Sequence, residues 1–164
     1  MSAAVSETQT APDGLLLAAA CAAAGTLIPV VAHQLGILGH LPDPPGSLFA
    51  SDRITESKAA HPLGIPDGVL GAGSYAATIA LVLLARTRPK VRKLLALKLV
   101  ADGSLAGFNV VRQVALFEKL CSWCTGTAAC TAVMVLAGRR LLTAELSLRK
   151  PSRRKPRRQR KPWR

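Results

Sequence analysis

Two cysteines three positions apart, Cys121-Ser-Trp-Cys124, are the residues of this sequence best suited to chemistry. C-x-x-C spacing at the start of a helix places two thiols within its first turn. The free N–H groups and the dipole at a helix start favour a thiolate, which is the reactive form of cysteine. Such a pair can cycle between dithiol and disulfide. Competing uses of the motif lack their partners. A zinc site needs four ligands, and neither a second C-x-x-C nor a nearby His completes a set, so no metal is expected. Haem attachment needs His directly after the second Cys, where Thr125 stands. The remaining alternative is a chance pair of buried helix cysteines. Cys21 and Cys130 fall well inside apolar runs and read as small apolar fillers. His33, His40 and His61 read as structural or solvated.

The elements that position the pair follow from composition. Of 164 residues, 49% are apolar, and the mean hydropathy is +0.27 despite 22 Lys and Arg against 9 Asp and Glu, a net charge of +13. A disordered basic protein would not carry so much Leu, Ala and Val. An ordinary soluble domain would not hold such long charge-free runs. Four Cys are too few for a disulfide-rich scaffold. A spanning helix needs about 20 mostly apolar residues. Four segments qualify or nearly so: 14–38, 63–85, 94–114 and 120–138. The first is not read as a signal peptide, because residues 1–13 contain no Lys or Arg. The third is the weakest, since it carries Lys98, Asp102, Asn109 and Arg112.

Charge asymmetry decides whether that third segment spans. Five basic residues lie between Arg86 and Lys93 and twelve from Arg139 onward, against two each in the other connections. Basic residues near span ends stay cytoplasmic. Both basic segments therefore belong on one side, which requires two crossings between them. The fold expected is all-α: a four-helix transmembrane bundle with both termini cytoplasmic, in the cell membrane. Residues 1–13 are expected to be a disordered N-terminus, 14–140 the membrane domain and 141–164 a basic tail. Segments 39–62 and about 115–119 then face outward, and the cysteine pair sits at the extracytoplasmic face, where disulfides persist. Lys98 and Asp102, one helical turn apart, can neutralise each other. Gly64, Gly68, Gly71 and Gly73 suit close helix packing. The tail should contact anionic lipid, worth about 1 kcal/mol per basic residue, rather than nucleic acid.

At this point two segments resemble the vitamin K epoxide reductase family. One runs from Ser51-Asp-Arg-Ile-Thr-Glu-Ser57 through Gly64-Ile65-Pro66 to Gly71 and Tyr75; the other is Cys121-Ser-Trp-Cys124-Thr125. The order of elements is similar too: a long outer loop, Gly-Ile-Pro entering the second helix, C-x-x-C entering the fourth. The resemblance covers about residues 14–140. It implies a helical bundle holding a quinone of the menaquinone or ubiquinone type near the outer face. It also implies an extracytoplasmic partner, a thioredoxin-fold dithiol protein. Carried over, Cys121 exchanges with that dithiol and Cys124 faces the quinone. Asp67 stands where members often place a quinone-binding Asn, Ser57 matches the loop serine, and Thr125 follows the second cysteine in the motif; these three are the cofactor-binding candidates.

The sequence departs from the family in its outer loop. Members usually carry two loop cysteines that relay electrons to the C-x-x-C. Here Ser51 stands at the second position and Asp43 in the region of the first. The function expected is dithiol oxidation coupled to quinone reduction, with the partner attacking the Cys121–Cys124 disulfide directly. A membrane scaffold or accessory subunit that kept the fold without turnover is the alternative, and a basic-tailed tether for ribosomes or nucleic acid a third.

Overall fold

A computed structural model of the chain describes the backbone of residues 4–146 and the side chains of residues 14–146. Among these residues the regular elements are helical: α1 (Ala4–Gln34), α2 (Ser51–Thr55), α3 (Asp67–Ala85), α4 (Val91–Phe117), α5 (Ser122–Ala137) and α6 (Arg139–Leu146). Two 3-10 turns, Lys58–Ala60 and Pro62–Gly64, lie between α2 and α3. Helix α1 packs against α3 and α5, and α4 packs against the same two. The four long helices thus alternate around a core that includes Leu16, Ala20, Tyr75, Leu99 and Met134.

Large apolar side chains also point away from that core. Ile28 of α1, Phe108 and Val111 of α4 and Leu136 of α5 are each more than 60% exposed. A surface this apolar needs a non-aqueous neighbour, and the helix lengths supply the reason. Residues Gly14–Gln34, α3 and α4 are each long and apolar enough to cross a membrane. Helix α4 qualifies although its sequence signal is the weakest, because it extends to 27 residues, Val91–Phe117.

The fourth segment differs from the straight 120–138 span expected. Helix α5 has 16 residues and rises about 24 Å, short of a hydrocarbon core of ~30 Å. It counts as a fourth candidate span only together with α6, from which it is bent by 58°. The break falls at Gly138, where a Cβ would lie 2.5 Å from Leu99 Cδ1. Beyond the bend, Leu141 and Leu142 pack on the core, and Glu145 Oε1 lies 3.8 Å from Arg92 Nε. Residues 141–146 therefore belong to the folded part rather than to the tail, because α6 carries apolar residues the core can bury. Residues 147–164 lie outside the described residues. At the other terminus, helix α1 is continuous back to Ala4, through residues expected to be without structure. Propagating a helix already nucleated by an apolar span fixes little per added residue.

Two polar ties join α3 to α4. The Lys98–Asp102 pair forms within α4, and Asp102 also accepts from Ser74 Oγ (3.1 Å) and Thr78 Oγ1 (2.7 Å) of α3. Nearer the other end, Asp67 Oδ2 lies 3.6 Å from Arg112 Nη2.

Two of the four glycines singled out for packing serve it. A Cβ on Gly68 would lie 2.6 Å from Gln34 Oε1, and one on Gly71 would lie 2.9 Å from Leu27 Cδ1. Gly73 faces open space, and Gly64 lies outside the helix at φ +79. Gly68→Ala is therefore expected to destabilise the fold by about 1–3 kcal/mol through overpacking. Gly73→Ala should be neutral or stabilising by up to about 1 kcal/mol through helix propensity. Thermal unfolding of the two variants in one detergent checks the contrast; equal midpoints would contradict it.

Candidate active site at the start of α5

Helix α5 begins on one cysteine of the pair. Cys121 is the N-cap, with extended backbone (φ −89, ψ 119), and its Sγ accepts from Cys124 N at 3.1 Å. A helix start leaves N–H groups unsatisfied, and here a sulfur takes the place of the usual capping oxygen. The Cys121 N–H donates to Gln113 Oε1 of α4 at 2.9 Å, so a buried amide fixes where the helix starts. Both thiols are free; Cys121 is fully buried and Cys124 partly so. The Cys124 thiol and its backbone N–H hold Cys121 below the ordinary thiol range, as does the Ser51 hydroxyl, against opposing effects of burial and the Asp43 charge. The thiolate form of Cys121 is thereby favoured over that of an ordinary cysteine.

A cap formed by residues 39–57 covers it. Asp43 Oδ2 accepts from Ser51 N (2.8 Å), and Asp43 Oδ1 accepts from the hydroxyls of Ser51 (2.5 Å) and Ser122 (2.6 Å). Ser122 N donates to Ser51 Oγ at 3.0 Å. Burial opposes the charge on Asp43, but these donors outweigh it and hold the carboxyl below its ordinary range. Trp123 Nε1 donates to Pro42 O at 3.1 Å. Backbone bonds from Leu120 N to Leu48 O (3.0 Å) and from Ala50 N to Leu120 O (2.9 Å) pair the cap with the residues just before Cys121.

The other candidates from sequence are placed unevenly around the pair. Asp67 opens α3, and its Oδ1 accepts from Gln34 Nε2 at 2.9 Å. Gln34 also takes the Gly68 N–H on Oε1 (3.1 Å) and donates to Thr55 O (3.2 Å). Asp67 therefore meets the Arg112 guanidinium and a glutamine amide rather than an apolar wall, and it lies within electrostatic reach of Cys124. Ser57 does not join the site: its hydroxyl donates to Ile54 O (2.6 Å), closing a turn within the cap. The Thr125 hydroxyl donates to Cys121 O (2.8 Å) and so braces the first turn of α5. Among the described residues no group of three or more His, Cys, Asp or Glu is placed to hold a metal ion. Cys21 faces outward rather than filling the core, and Cys130 is partly buried.

The family model for the vitamin K epoxide reductase family matches residues 15–137. The chain belongs to that family. The match takes in α1 from residue 15 onward, all of α3, α4 and α5, and both cysteines of the C-x-x-C, so the site just described lies wholly inside the matched region. Family membership and the apolar helices make this a membrane protein of an oxidoreductase family. No curated protein and no solved structure matches the chain.

The residues at the family's two loop-cysteine positions, by the resemblance above, touch each other in this member: Asp43 and Ser51 form a hydrogen-bonded pair against Ser122. Gln34 and Gln113 escaped the sequence reading, and Arg112 entered it only as a charge weakening the third segment. Each is a polar residue in the last turns of an apolar helix, a signal that could have marked them as facing inward.

Proposed function

We propose that this protein is a membrane thiol–quinone oxidoreductase that supports disulfide formation outside the cytoplasm. The observation that carries the reading is Cys121 itself: its buried sulfur caps α5 by accepting the Cys124 N–H, its own backbone N–H donates to the Gln113 amide oxygen, and its neighbours hold the thiol below its ordinary range. Four crossings with both termini cytoplasmic fit the positions of the charges. The basic α3–α4 connection and α6 share one end of the helices, and the cysteine pair occupies the other.

In the oxidised state the pair is a disulfide. A thiolate on a thioredoxin-fold partner attacks Cys121 sulfur, breaking the Cys121–Cys124 bond and leaving a mixed disulfide. The partner's second thiol resolves it, so the partner leaves oxidised and both cysteines are reduced. Because Cys121 has no exposed surface while the cap is closed, the Asp43–Ser51–Ser122 contacts must open first. Re-forming the disulfide releases two electrons and two protons. A quinone of the menaquinone or ubiquinone class, when bound, accepts both. The polar groups suited to hold it are Asp67, Arg112 and Gln34, beside the partly buried Cys124. Arg112 can neutralise charge on an oxygen placed there.

The test uses membranes bearing the full chain with Cys21 and Cys130 replaced by Ala. After mild dithiol reduction, free thiols are trapped with a mass-shifting alkylator, with and without added quinone. Loss of both thiols in the quinone sample is the expected result. Thiols that persist would remove the redox reading. They would favour the scaffold alternative, to which the Asp43–Ser51 pair in place of relay cysteines already lends support.

A further inference from the structure

One buried nitrogen in the described residues has no hydrogen-bond partner: His33 Nε2, on a side chain only 3% exposed. Its ring is otherwise held firmly. Nδ1 lies 2.9 Å from Leu38 O, and a carbonyl can only accept, so Nδ1 carries a hydrogen. Nε2 is then a bare lone pair in the neutral ring and a second N–H in the charged one. It faces two carboxylates, Glu56 Oε1 at 3.3 Å and Asp52 Oδ1 at 3.5 Å. A lone pair against two carboxylates is repelled; an N–H placed between them is attracted to both.

Both carboxylates belong to the cap. Asp52 follows Ser51 in α2, and Glu56 is the C-cap of that helix. Ser51 is the residue whose hydroxyl and amide tie the cap to Asp43 and Ser122 over Cys121. His33, in the last turn of α1, thus grips the same short helix that seals the reactive thiol.

We propose that His33 is a proton-operated latch: charged, it holds α2 against α1 and keeps Cys121 covered; neutral, it releases the cap. The other charged groups at this junction do not substitute for it. His40 pairs with the far oxygen of Asp52 (2.5 Å) but is mostly exposed. Asp67 of α3 is engaged by Gln34 and by Arg112 of α4, and α5 contributes the two thiols. The latch closes when Nε2 gains a proton and opens when it loses it, so the cap tightens as pH falls and loosens as pH rises. It does not depend on the electron acceptor and would operate in a catalytically silent protein.

The experiment measures modification of Cys121 by a small alkylating reagent in the full chain, located by mass spectrometry after digestion. Rates are compared between His33→Gln and the unsubstituted protein at each pH, so that the thiolate fraction largely cancels. At about pH 5.5 the His33→Gln protein should react about threefold to fivefold faster, the size of an ion pair with partly exposed carboxylates. Near pH 8 the two rates should converge. His40→Gln should behave as the unsubstituted protein. A rate ratio that does not change with pH overturns the proposal, as does a His40→Gln variant that reproduces the effect. Should His33→Gln fail to fold, Glu56→Gln decides, because that side chain is 66% exposed. It should speed modification at low pH and not at high pH, and an unchanged rate overturns the latch.

Discussion

Serine at either Cys121 or Cys124 is expected to abolish quinone-dependent dithiol oxidation, a loss in kcat/KM on the order of 10^3-fold or more. The two thiols act as one unit, so each single change should cost as much as both together. The fold should survive, and the reason is local. Cys121 caps α5 through its sulfur, and a serine oxygen is among the best N-cap acceptors. Cys121→Ser should therefore keep the helix start, whereas Cys121→Ala should lose about 1 kcal/mol of stability in addition to the activity. Oxidation of a model dithiol by membranes supplied with quinone, alongside thermal unfolding of each variant, separates the two effects. A serine variant that still turns over would show that the chemistry lies elsewhere.

The second large effect is structural. Asp102 is 4% exposed and accepts from Ser74, Thr78 and Lys98. Removing one partner of a buried ion pair strands the other charge. Asp102→Ala should therefore destabilise the protein by about 3–5 kcal/mol. Replacing both partners at once, Lys98→Met with Asp102→Leu, should recover most of that loss, since an apolar pair of similar volume needs no desolvation. Part of the loss should remain, because Ser74 and Thr78 would lose their acceptor. Unfolding midpoints of the single and double variants measure the coupling. A single Asp102→Ala variant within 1 kcal/mol of the unsubstituted protein would mean that Lys98 finds water or lipid headgroups unaided.

The cap gives the missing relay a structural meaning. A disulfide relay needs two sulfurs that can separate and re-pair, whereas Asp43 and Ser51 form a closed hydrogen-bonded contact over Ser122 beside the buried thiol. Under the exchange proposed above, motion of residues 39–57 must come first. His33 couples that motion to the proton concentration outside the helices.

Much of the fold was legible in the sequence, and the reason is periodicity and charge. The apolar runs marked three membrane-length helices, and the C-x-x-C marked the start of α5 within one residue. The Lys98–Asp102 contact followed from helical spacing, because i and i+4 share a face. Other features depend on residues far apart in the chain, which no local pattern connects. Gln113 receives the Cys121 N–H, Gln34 joins three elements, and Arg112 reaches Asp67; each is set by how the helices pack. Leu99, 39 positions earlier in the sequence, leaves no room for a Cβ at Gly138, where the bend falls. By itself the sequence determined a helical membrane protein with a C-x-x-C pair at a helix start, because hydropathy and spacing are local quantities. Only the tertiary structure decided that Cys121 is sealed and that Ser57 stands apart from it. It alone placed the orphaned His33 nitrogen between two cap carboxylates, because burial is a property of the packed helices together.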